Sequence, residues 1–232
     1  MTPELTVKEE SPTVSVSAVA HFHSLPDTPY AMWVREELAD YLHLPKDGTR
    51  VEVIGGEIVV SPGPAVAHNM IVTQIHESFM TVRLAQPGFP WRCMQATDLD
   101  LSAIKDGYIP DLIVSEAATL AAASKSEAPD LLPDQVELVV EVTSPSNATN
   151  DRQPTLRSSA TTKWNGYAQA GIPYYLLIDR DPRRAQAILY SLPDENAGTY
   201  DHLRSWEFGE TIRLPAPFEV EIPTNDWDSW TR

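Results

Sequence analysis

Two carboxylates in this 232-residue chain stand where carboxylates are costly. Glu141 interrupts the apolar run Leu138-Val-Val-Glu-Val142 and, by strand alternation, shares a face with Val139 and Thr143. A lone buried carboxylate must be protonated, paired or bound to a cation. Asp111 follows Pro110 in Ile109-Pro-Asp-Leu-Ile-Val114. Proline donates no ladder bond, so this end is a strand start or an edge. Alternation places Asp111 with Ile109 and Ile113 on one face, and Leu112 and Val114 on the other. Either acid alone is accounted for by a nearby arginine, and Glu141 also by a wet strand face. Together, thirty residues apart in strand contexts, they point toward a metal site. Hard oxygen donors favour Mg²⁺ or Mn²⁺ with retained waters.

The elements around them decide whether the two acids can meet. The spacing of Trp33, Val34, Leu38 and Tyr41 predicts one helix over 30–41, stopping before Pro45. Arg50–Ile54 and Glu57–Ser61, joined by Gly55-Gly56, predict a β-hairpin ended by Pro62-Gly63-Pro64. A second helix is expected from about Val66 to Leu84, with Met70, Ile71, Ile75, Phe79 and Val82 as its apolar set. Strands are expected around Trp91–Leu101 and Ile109–Ser115, then a loop with an alanine-rich helical turn over 116–134. Val136–Thr143 is the strongest strand candidate. Residues 144–162 read as polar and irregular, Lys163–Ala170 as a short helix closed by Gly171, and Tyr174–Ile178 as a buried strand. Runs near Ala187–Ser191, Ile212–Leu214 and Phe218–Ile222 suggest further strands. The order is that of a mixed α/β sheet domain. Residues 1–27 lack periodicity and are expected to be a disordered leader, with 28–232 as a single domain.

Charge narrows the chemistry. Seventeen basic residues against thirty-three acidic ones give a net charge of -16, which repels a phosphate backbone at long range. Binding to nucleic acid through a broad basic surface is therefore not expected, and a local basic patch or bound cations would have to serve. The one candidate patch is 151–184, where Arg152, Arg157, Lys163, Arg180, Arg183 and Arg184 outnumber the acids by three. No apolar run is long enough for a membrane span, and no secretory pattern is visible. The single cysteine, Cys93, excludes an internal disulfide framework and a multi-thiolate zinc site. A cytoplasmic setting is expected.

In this order the motifs resemble the PD-(D/E)XK nuclease superfamily, and more closely its Uma-type family of putative restriction endonucleases. The resemblance runs through Val53-Ile-Gly-Gly-Glu-Ile-Val-Val-Ser-Pro62 with His68, Pro110-Asp-Leu-Ile-Val114, and Val139-Val-Glu-Val-Thr-Ser-Pro-Ser146. It continues through Lys163, Tyr167 and Ala170-Gly-Ile-Pro-Tyr-Tyr-Leu-Leu-Ile-Asp179. It implies a restriction-endonuclease-like core, a mixed central β-sheet flanked by helices, here with extra C-terminal strands. It also implies a metal-dependent endonuclease acting on DNA. The superfamily places Lys two residues after the acid, where this chain has Thr143; the Uma-type pattern supplies it from the next helix, which indicates Lys163.

On this reading Asp111 and Glu141 hold Mg²⁺ (or Mn²⁺), which polarises a phosphoryl oxygen and activates water. Lys163 neutralises developing charge or orients the attacking water, unless it is a solvated helix lysine. Glu57, just past the hairpin turn, adds a carboxylate or is merely a hydrated strand end. His68, near a helix start, meets a phosphate or is a capping or surface histidine. His76 is read as surface. Thr143 and the acidity leave open a second class, a catalytically inert module of the same fold serving binding or assembly. Sheet edges and six tryptophans make a homodimer a reasonable expectation.

Overall fold

The structure, a computed structural model, describes residues 25–155 and 160–231. Nearly all of the expected leader, and Arg157, lie outside the described residues. The chain forms α1 (Pro29–Val34), α2 (Leu38–Tyr41), β1 (Arg50–Ile54), β2 (Glu57–Ser61), α3 (Val66–Ala85), β3 (Trp91–Met94), β4 (Leu99–Leu101), β5 (Asp106–Tyr108) and β6 (Leu112–Glu116). Then follow α4 (Ala117–Lys125), β7 (Leu138–Val142), α5 (Ala148–Asp151), α6 (Lys163–Gln169), β8 (Tyr174–Asp179), β9 (Gln186–Asp194), β10 (Thr199–Glu207), β11 (Thr211–Arg213) and β12 (Glu221–Pro223). Among the described residues no helix is long and apolar enough to cross a membrane.

A six-stranded mixed sheet in the order β10-β9-β8-β7-β6-β3 forms the centre. Of the described strands in this sheet only β7 and β8 run parallel, and both are buried along nearly their whole length, which is why they read as apolar runs, broken in β7 by Glu141. One face carries Leu112, Val114, Leu138, Val140, Leu176 and Ile178 against Ile71, Val72, Ile75 and Phe79 of α3 and the β11–β12 hairpin. The other carries Ile113, Val139, Tyr175 and Leu177 under Trp164, Tyr167 and Ala168 of α6. A smaller sheet, β2-β1-β5-β4, closes that second side.

The Gly55-Gly56 turn is the one expected, with both glycines at positive φ (60° and 78°) as a tight hairpin turn requires. Its amides donate to Asp106, Gly55 N to Oδ2 at 2.7 Å and Gly56 N to Oδ1 at 2.9 Å, tying β1 to β5. Other expectations need correction. The helix over 30–41 breaks at Arg35–Glu37, where Glu36 takes φ 57°. Trp33 and Leu38 are both buried beside Val53, whereas Val34 and Tyr41 are exposed. Five residues of continuous helix would splay Trp33 and Leu38 about 140° apart, so burying both requires the break. In α3, Val72 is buried and Met70 is exposed. The run 91–101 is two strands in two sheets, turning through Ala96 at φ 51°. Of the two readings for Asp111 the strand start holds, since β6 begins at Leu112 just after it, and the edge does not, since β6 is interior. β10 was not expected, because most of its side chains on both faces are exposed and it carries no alternation.

Candidate active site

Asp111 and Glu141 meet because β6 and β7 are antiparallel. The register pairs Leu112 with Val140, so one step further brings the start of one strand beside the end of the other. Both acids line one cleft of about 470 Å³, together with Arg50 and Glu52 of β1, His68 of α3, Lys163 of α6, Arg180 after β8, and the segment Asp228–Thr231. The cleft lies at the carboxyl ends of the parallel pair β7 and β8, where the loops of a parallel pair converge.

Asp111 accepts three bonds: from Arg50 Nη1 to Oδ1 at 2.9 Å, and to Oδ2 from His68 Nε2 and from the Val142 amide, each at 2.9 Å. Burial opposes its ionisation, but the His68 bond and charge, the Arg50 charge and the amide prevail and hold it down at about 2. His68 is 5% exposed. Burial resists its protonation, yet the Asp111 bond and charge raise it above the ordinary imidazole value. Its two ring nitrogens face Asp111 Oδ2 and Asn69 Oδ1, the surroundings of an imidazolium. The surface or capping alternatives for His68 are thereby excluded: it faces Asp111 from inside the cleft.

Glu141 is 3% exposed and accepts at Oε1 from Lys163 Nζ at 2.9 Å and from the Tyr167 hydroxyl at 2.5 Å. Burial pushes its carboxyl up to about 7, with Lys163 opposing and the charges of Asp111 and Glu52 adding. Lys163 is equally buried and lies 2.6 Å from Glu52 Oε1 as well. Burial disfavours its charge, but Glu141 and Glu52 overcome this and raise it well above the ordinary lysine value. It is a fixed ammonium at neutral pH, suited to stabilising negative charge and not to acting as a base. It is no solvated helix lysine.

Thr143, standing where a lysine is usual, is fully buried and has another task. Its hydroxyl accepts the Arg180 amide at 2.9 Å, tying the ends of β7 and β8 together. The ammonium reaches Glu141 from α6 instead, across 22 residues of sequence.

Glu57 is not brought to the cluster: it sits exposed at the hairpin, paired in register with Ile54. Glu52, overlooked in the sequence, occupies the place Glu57 was expected to fill, with Oε1 also accepting the Ile109 amide at 2.7 Å. Its signal was present, since Arg50-Val-Glu-Val-Ile54 buries a carboxylate among β-branched residues as Glu141 does. Asp151 is a second omission. It is 1% exposed, among the described residues neither carboxylate oxygen has a hydrogen-bond partner, and burial, with the charge of Glu141, raises it well above the usual range.

The basic patch over 151–184 is mostly spent on structure. Arg152 forms a two-pronged pair with buried Asp179, at 2.8 and 2.6 Å, and Lys163 lies between its two acids. Arg183 and Arg184 are exposed, and of the described arginines in the patch Arg180 alone lines the cleft.

A family model, Uma2, described as "Putative restriction endonuclease", matches residues 38–225. A solved structure described as a "putative nuclease belonging to DUF820" from Anabaena variabilis superposes with a TM-score of 0.55 at 18% identity, covering 83% of this chain and 97% of that one. At that identity the likeness concerns the fold. No curated protein matches the chain.

Proposed function

The chain belongs to the Uma2 family, and from that premise we propose that it is a metal-dependent endonuclease hydrolysing DNA phosphodiester bonds in the cleft between β1, β6, β7 and α6. The observation that carries the reading is the convergence of Asp111, Glu141 and Lys163 on one cleft, with the ammonium 2.9 Å from Glu141 although it comes from a helix.

The donor set suits a hard divalent cation. Asp111 and Glu141 adjoin on neighbouring strand ends, Asp111 is held ionised, and the bonds to Glu141 both go to Oε1. Among the described residues no group of three or more His, Cys, Asp or Glu side chains forms a cage. Mg²⁺ is commonly held by one or two carboxylates plus waters and a substrate phosphate. When bound, the ion would supply charge neutralisation at the phosphate and a more acidic water. The protein's own groups do the rest. Lys163 places a permanent positive charge beside the reacting phosphate. Glu52 and Tyr167 hold Lys163 and Glu141 in place. His68 and Arg50 keep Asp111 ionised and aimed into the cleft.

The test is cleavage of labelled single-stranded and duplex DNA in Mg²⁺ or Mn²⁺, with and without a chelator. Cleavage should require the ion and vanish in Glu141→Gln, whose near-ultraviolet circular dichroism should match the parent. A parent that leaves every substrate intact with both ions would discard the enzyme reading and leave the inert binding module.

A further inference from the structure

Arg180 is a buried cation, 6% exposed, that forms no ion pair with any described residue. The side-chain bond it makes runs from Nε to the Asp228 carbonyl at 3.0 Å. Burial pulls its pKa below the ordinary arginine value, against the weaker opposing charge of Asp228. Its backbone is fixed on both sides, the amide on Thr143 Oγ1 at 2.9 Å and the carbonyl accepting the Trp230 amide at 3.1 Å. An uncompensated buried charge is costly unless a ligand completes it. A guanidinium matches a phosphate through parallel N–H donors.

The Nε bond to the Asp228 carbonyl and the bond from the Trp230 amide seat the segment Asp228–Thr231 in the cleft wall, so Trp230, half-buried, faces the same cavity as Arg180. The cavity's 470 Å³ is the scale of a pocket for one small ligand and gives room for a nucleotide unit. Aromatic faces beside a cationic groove hold unpaired bases by stacking.

We propose that Arg180 and Trp230 form a nucleotide subsite, the guanidinium gripping a phosphate next to the scissile one and the indole stacking on an unpaired base. The inference rests on the endonuclease reading and narrows its substrate to DNA that is single-stranded, or locally unpaired, beside the cut.

Binding of a fluorescein-labelled phosphorothioate oligonucleotide, which keeps its charge and resists hydrolysis, tests this by anisotropy in Mg²⁺ with the full chain. The parent should bind the single strand more tightly than its duplex. Arg180→Gln should weaken single-strand binding about tenfold and flatten its salt dependence by about one phosphate contact. Trp230→Ala should weaken it roughly fivefold or more, and Trp230→Phe should restore most of the loss. If Arg180→Gln does not fold, the two Trp230 variants decide the matter alone. A parent that binds while the folded variants bind equally well overturns the subsite and leaves the endonuclease reading intact. A parent that prefers duplex overturns the unpaired-base assignment. A parent that binds neither form overturns both the subsite and the reading beneath it.

Discussion

Lys163 is the counter-charge of two buried acids at once, so its removal should be felt in stability as well as rate. Lys163→Met keeps most of the stem and leaves Glu52 and Glu141 without their shared partner. Breaking such a buried pair costs about 3–5 kcal/mol. Denaturant unfolding should show that loss without metal and recover part of it in millimolar Mg²⁺, because a divalent ion can then compensate the acids. Cleavage should still fall by roughly 100-fold, the scale of one lost charge-stabilising group. Asp151 presents the opposite case, a buried acid with no hydrogen-bond partner among the described residues. Its folded pKa lies above the unfolded one, so the folded state binds the extra proton. The resulting stability is complete below the unfolded value near 3.9 and is lost progressively as pH rises toward the folded value. Asp151→Asn, shaped like the neutral acid, should escape that loss. Its melting temperature relative to the parent should climb steadily from pH 5 to pH 8, and a constant difference would show that Asp151 has found a cation.

The position of Lys163 depends in turn on how closely α6 approaches the small sheet. At Gly166 an added Cβ would fall onto the Tyr108 hydroxyl, and Tyr108 is itself fully buried and bonded to Asp106 at 2.8 Å. Gly166→Ala therefore has to push α6 away from β5, and overpacking of this kind costs about 1–3 kcal/mol. Because Lys163 lies on the same short helix, the shift should lower cleavage as well as the melting temperature. A variant that loses stability but keeps its full rate would show that the ammonium is placed by its carboxylates and not by the helix. The hairpin is held by comparable means, since Asp106 collects both glycine amides of the turn and the Tyr108 hydroxyl on one carboxylate.

At the scale of the whole molecule the charge of -16 opposes the approach of a phosphate backbone. Long-range attraction is not expected, and among the described residues the lysines and arginines that face the cleft without being buried between acids reduce to Arg50 and Arg180. Each phosphate contact adds about 0.7–0.9 to the salt slope. A plot of log affinity against log salt, over about 50 to 200 mM, should therefore be no steeper than about -2. A much steeper slope would require a basic surface beyond this cleft.

The features legible from sequence were those with a local cause. The paired glycines between β-rich runs, the apolar period of α3, the apolar runs of β7 and β8, Glu141 within the first of them and Asp111 after its proline each follow from neighbours a few residues away. Distance along the chain hid the rest. Glu52 and Glu57 flank the same hairpin turn; the apolar setting of Arg50-Val-Glu-Val-Ile54 marks the first locally, but that it meets Lys163 while the second stays in water follows from the packing of β1 beneath α6. His68 reaches Asp111 across 43 residues, and Arg180 meets Asp228 across 48. The break between α1 and α2 exists because Trp33 and Leu38 must both reach Val53. Which carboxylate receives the ammonium, and which buried arginine is left without an ion pair among the described residues, are decided by strand register and layer packing. Those are properties of the closed fold, because a charge is compensated by what lies beside it in space.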